Sequence, residues 1–139
     1  MRKIIALVMM LMIVVNVFAS KLTKDENTNN TYAQTQSFTE WDIIKFDEQI
    51  GASQCSLITK VQLLHVEGKV DDKFVEKFLK VNDDLLKARE SFADYKHILW
   101  DVEDGKVAPN KYSRRTFIYR YNQVVDKYNK LLKLYNEVN

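Results

Sequence analysis

The side chains in this sequence that could do chemistry are few and scattered. There are two histidines, His65 and His97, and one cysteine, Cys55. A metal site needs histidine, cysteine or carboxylate groups that converge from compatible spacings. His65 is followed by Glu67, and on a helix residues two apart point to nearly opposite faces. His97 belongs to a different predicted helix, so each histidine reads as structural or surface. Cys55 stands outside any nucleophile motif, and the chain has no Gly-rich phosphate loop and no G-x-S-x-G turn. The pairs Asp71-Asp72 and Asp83-Asp84 read as a helix cap and as a solvated face. Trp41 and Trp100 read as packing residues. The expectation is no catalytic set, no metal site and no cofactor, which makes enzyme the weakest class.

One cluster suggests binding. The segment "KYSRRTFIYRYNQ" places Arg114, Arg115 and Arg120 around Tyr119. Together they would make a cationic surface for an acidic partner or an anionic lipid. The competing and favoured expectation is that these arginines neutralise an acidic neighbouring helix.

The elements that must carry these residues follow from composition. In 139 residues there are three glycines and one proline, with 46% hydrophobic and 29% charged residues. So few breakers favour long helices in one small domain. The net charge of +2 implies no anionic partner by itself. Residues 1–19 read as a secretory signal peptide: "MRK", then the apolar run from Ile4 to Phe18, then a cut between Ala19 and Ser20. The rival reading keeps this run as a membrane anchor, although it is shorter than the ~18–20 residues of a span. Without Arg2 and Lys3 the acidic and basic residues balance, and no nucleic-acid partner is expected. A lone Cys55 has no intramolecular disulfide partner, and its helical surroundings suggest burial. The expected destination is outside the cytoplasm: periplasm, outer cell surface or medium.

Residues 20–36 are polar, rich in Asn and Thr, and read as a flexible spacer. The helical domain should span 37–139. "SFTE", Ser37 to Glu40, reads as a capping box that opens a helix over about 38–67. Ile43, Ile50, Leu57 and Leu64 recur every seven, with Phe46, Gln54 and Val61 between them. Gly51 weakens the middle of this helix and Gly68 ends it. A second helix, about 72–103, carries Phe74, Phe78, Val81, Leu85, Ala88, Phe92, Tyr95, Leu99 and Val102 at alternating four and three spacing. It stops at Gly105 and Pro109. A third, about 111–138 with its start at about Asn110 or Ser113, repeats the spacing through Phe117, Tyr121, Val124, Tyr128, Leu131 and Tyr135, with Leu132 beside them. Tyr-Asn recurs at 121, 128 and 135 because the tyrosines share one stripe. Each asparagine lies about 100° further round, where its amide would bond across the seam. The fold class is all-α: an elongated antiparallel hairpin or a three-helix bundle with coiled-coil-like packing. The second helix is acidic and the third basic, which favours pairing them.

The C-terminal run "RRTFIYRYNQVVDKYNKLLKLYNEV" resembles that of the FadA-type adhesins. Arg115, Phe117, Tyr121, Lys127, Tyr128, Leu132 and Lys133 carry the likeness, together with the leader and the opening "SF…W…F…I" helix. This resemblance implies a cell-surface or secreted adhesin that self-associates through apolar helix positions and binds a host or neighbouring-cell surface protein. Gly68 and the "DGKVAPN" break depart from that family's single long hairpin, and the chain lacks its alanine and glutamine richness. "YNQVVDKYN" is also similar to the closing helix of LemA-type proteins, through Tyr121, Asn122, Val124 or Val125, Tyr128 and Asn129. That likeness implies an envelope scaffold held by a retained N-terminal anchor. A third reading is a periplasmic binding module that uses the arginines.

Overall fold

The computed structural model describes residues 38–139. The proposed leader, the Ala19–Ser20 cut, the polar spacer and Ser37 lie outside the described residues. The rest is all-α: α1 (Glu40–Val66), α2 (Asp72–Glu103), a 3-10 turn (Pro109–Lys111) and α3 (Arg114–Asn136). Of the two architectures expected from sequence, the three-helix bundle is the one present. Each helix packs on both others, and α2 with α3 most closely.

Local chemistry sets the ends. The first helix starts later than "SFTE" suggested, because the capping box is built by Thr39 and Asp42. The Thr39 hydroxyl accepts from the Asp42 amide at 3.2 Å, and the Asp42 carboxylate accepts from the Thr39 amide at 3.0 Å. Asp71 caps α2 by accepting from the Phe74 amide at 2.8 Å. At α3, Pro109 starts a 3-10 turn through Lys111, so of the two starts expected, about Asn110 or Ser113, the later holds: the helix begins at Arg114 with Ser113 as its cap. α1 and α2 end alike, in Glu67-Gly68-Lys69-Val70 and Asp104-Gly105-Lys106-Val107. In each, the lysine amide returns to a carbonyl five residues back, at 2.8 Å (Leu64 and Asp101). The closing turn puts glycine at φ +70° and +72°, which a side chain would resist.

The core holds Ile43, Ile50 and Leu57 from α1, Phe78, Leu85, Phe92 and Leu99 from α2, and ten residues of α3. Phe92 meets Phe117 and Tyr121 at ring-centroid distances of 5.0 and 5.6 Å, and Tyr112 lies 6.0 Å from Phe117. Such tilted aromatic pairs add to plain area burial. The chain runs up, down and up. Gln54 meets Asn82 and Asp47 meets Arg89 across antiparallel α1 and α2, while Arg120 of α3 meets Ser91 of α2.

The charge argument for pairing α2 with α3 fails in detail. One ion pair joins these helices among those described, Lys77–Glu137 at 3.9 Å, and its polarity is the reverse of that expected. The two helices are held by their apolar stripes.

Candidate functional site

The residues expected on the α3 seam face the interior of the bundle. Phe117, Tyr121, Val124, Tyr128, Leu131, Leu132 and Tyr135 are all buried within a single chain. Two of the three asparagines, Asn122 and Asn136, are not seated as the sequence suggested. The Asn122 side-chain oxygen is buried without a hydrogen-bond partner, and Asn136 is exposed. Burial raises the Tyr128 phenol above its ordinary range. Its hydroxyl faces Ser53 across the seam without closing a hydrogen bond of normal geometry. Tyr121 is raised further, first by burial and then by the negative charge of Asp47.

The basic cluster does not form one face. Arg114 turns toward the start of α1, where it pairs with Glu40 at 2.7 Å and donates to the Phe38 carbonyl. Tyr112 donates to the same Glu40 at 3.0 Å. Partial burial would raise the Glu40 carboxyl, but the hydrogen bonds from Arg114 and Tyr112 outweigh it and hold it below its usual range. Arg120 turns the other way, donating to the Ser91 carbonyl at 2.8 Å and lying over the Tyr95 ring at 5.0 Å. Arg115 and Tyr119 remain exposed.

The polar feature that pattern reading passed over lies between α1 and α2. Asp47 is 2% exposed. Its carboxylate accepts from Arg89 Nε at 3.0 Å and from Lys96 Nζ at 3.2 Å, and Arg89 Nη2 donates to its carbonyl at 3.3 Å. One turn on, the guanidinium lies against Gly51, where a Cβ would stand 2.7 Å from its nitrogens. A further turn on, Gln54 donates to Asn82 at 2.8 Å, with both side chains buried. The contributors from α2, Asn82, Arg89 and Lys96, are seven apart. So are Asp47 and Gln54 on α1. The seam is thus a heptad pattern written in polar residues, which a search for apolar spacing does not see. Its visible trace is a basic or amide residue four after each of Phe78, Leu85 and Phe92. It lies between α1 and α2, with Asp47, Gln54 and Asn82 buried. What it can do is fix register, because sliding α1 by a turn would carry Asp47 away from one of its two cations and part Gln54 from Asn82.

The remaining candidates stand apart. The exposed His65 pairs with Asp72 across the first turn at 2.7 Å, and His97 stands edge-on to Trp100. Cys55, expected to be buried, is exposed, because it sits one step outside the inward-facing Gln54. Trp41, read as packing, is 52% exposed. Among the described residues no group of histidine, cysteine and carboxylates is placed to hold a metal, and no helix is long and apolar enough to cross a membrane. The large apolar side chains left outside include Leu79 and Leu86, seven apart on the outside of α2 and 49% and 42% exposed.

Comparison of the chain with family models, with curated proteins and with solved structures finds no match.

Proposed function

We propose that this is an exported, non-enzymatic helical protein that acts by contact with another protein, in the manner of an adhesin, at the cell surface, in the periplasm or in the medium. The observation that carries contact is the outward stripe of Leu79 and Leu86. These apolar side chains keep heptad spacing on a helix whose core stripe is already satisfied. The leader-like run Ile4–Phe18 supports export. The α3 seam, which the adhesin resemblance would use between chains, is filled within one chain, so contact is assigned to the outer surface instead.

Mass spectrometry and sedimentation equilibrium of the protein recovered from outside the cytoplasm test this reading. A start at Ser20 and a monomer with intact helices support it. Retention in the cytoplasm with Met1 intact would remove export and with it the adhesin reading. An intact Met1 on envelope-bound protein would instead favour the anchored scaffold.

A further inference from the structure

Resting on that reading, we propose that the outer face of α2 is a docking site for a basic amphipathic helix of a partner protein. Leu79 and Leu86 project from it about 10 Å apart, the rise of seven helical residues. The half-buried Ala93 and Trp100 continue the same line. On one side this line is bordered by Asn82, Arg89 and Lys96, which turn inward to α1. On the other it is bordered by Glu76, Asp83 and Glu90, all exposed.

The buried seam sets the charge of this face. Asp47 draws Lys96 and most of Arg89 inward and pairs with both, which neutralises two cations on this side of α2. Along α2 the exposed carboxylates are then Asp72, Glu76, Asp83, Asp84, Glu90, Asp94 and Glu103, against Lys73, Lys77, Lys80 and Lys87, the last of which already pairs with Asp83 at 2.7 Å. An apolar heptad line edged by carboxylates complements a helix with leucine-like residues every seven and lysine or arginine beside them. The same charge disfavours the surface of an anionic membrane. It also disfavours a second copy laid antiparallel on this stripe, since the two acidic borders would meet.

The test uses the purified full chain and a fluorescent 21-residue peptide with leucine at both apolar heptad positions and lysine at the flanks. Its control carries glutamate at the flanks. Anisotropy should show the lysine peptide binding at least tenfold tighter than the control, and weakening as salt screens the borders. The Leu79→Ser, Leu86→Ser double variant should lose at least tenfold in affinity while keeping its helical circular dichroism, because both side chains stand outside the core. Arg115→Ala, exposed on α3 and outside this stripe, should bind as the parent does. Absence of binding, or equal binding by the serine variant, overturns the assignment. So does sedimentation that shows self-association abolished by the same serines, since the occupant would then be another copy. Each of these results leaves the export measurement standing, so the two proposals fail separately.

Discussion

At the scale of single residues, Asp47 decides most. A carboxylate with a 3% exposed side chain and two cations at 3.0 and 3.2 Å is tolerable only while both partners remain. Asp47→Ala should cost roughly 3 kcal/mol in urea unfolding, near the lower bound for breaking a buried pair, because Arg89 can still reach water. Gly51 provides a sharper test. Alanine there should favour the helix by ~1 kcal/mol, yet its methyl would push Arg89 off Asp47. Gly51→Ala should therefore lower stability in the parent and raise it by ~1 kcal/mol in an Arg89→Ala background. A double-mutant cycle reads this reversal directly. Tyr128 is the third case. Its sealed hydroxyl lacks a proper partner, so Tyr128→Phe should raise stability by about 1 kcal/mol. Tyr128→Asp should unfold the monomer, as circular dichroism would report.

At the scale of helices, α2 and α3 were legible because their inward stripes are apolar and regular, and counting apolar spacing finds such stripes. α1 was legible only in part. Its inward face includes Asp47, Gly51, Ser53 and Gln54 as well as Ile43, Ile50 and Leu57. Those polar residues look like defects until their partners on α2 are known, and these lie 28 to 49 residues away in sequence. Gly51 read as a weak point for the same reason: the guanidinium it accommodates comes from another helix. The fate of the arginines was similarly hidden, since spacing on α3 says nothing of Glu40. The two kinds of seam should differ in dynamics. Apolar stripes hold α2 to α3, whereas α1 leans on exchangeable hydrogen bonds. Native-state hydrogen exchange should therefore find α1 amides opening at lower free energy than those in the middle of α2 and α3. Acid should loosen α1 further at its start. Glu40 is held below its usual range, so its contribution is present above the ordinary carboxylate value and is lost as pH falls through the folded one.

At the scale of the whole molecule, the tyrosines set an alkaline limit. Tyr112, Tyr121, Tyr128 and Tyr135 are all raised, chiefly by burial. Each group keeps its proton longer in the folded state. Its stabilisation is complete below the ordinary phenol value of about 10 and is lost as pH rises through the folded value. Tyrosinate absorbance and helical signal should therefore change together above that pH, in one cooperative step.

Among the described residues the number of α-helices is odd, and that parity has a directional consequence. A chain that goes up, down and up leaves its first and last described residues at opposite poles, about 40 Å apart along α1. Phe38 stands at the pole of Tyr112, and Val138 stands at the pole of the Gly68 turn. Whatever holds the chain by its N-terminal side therefore holds it as a mast is stepped, with the Gly68 turn and the C-terminal residues at the tip and the flank of α2 presented broadside.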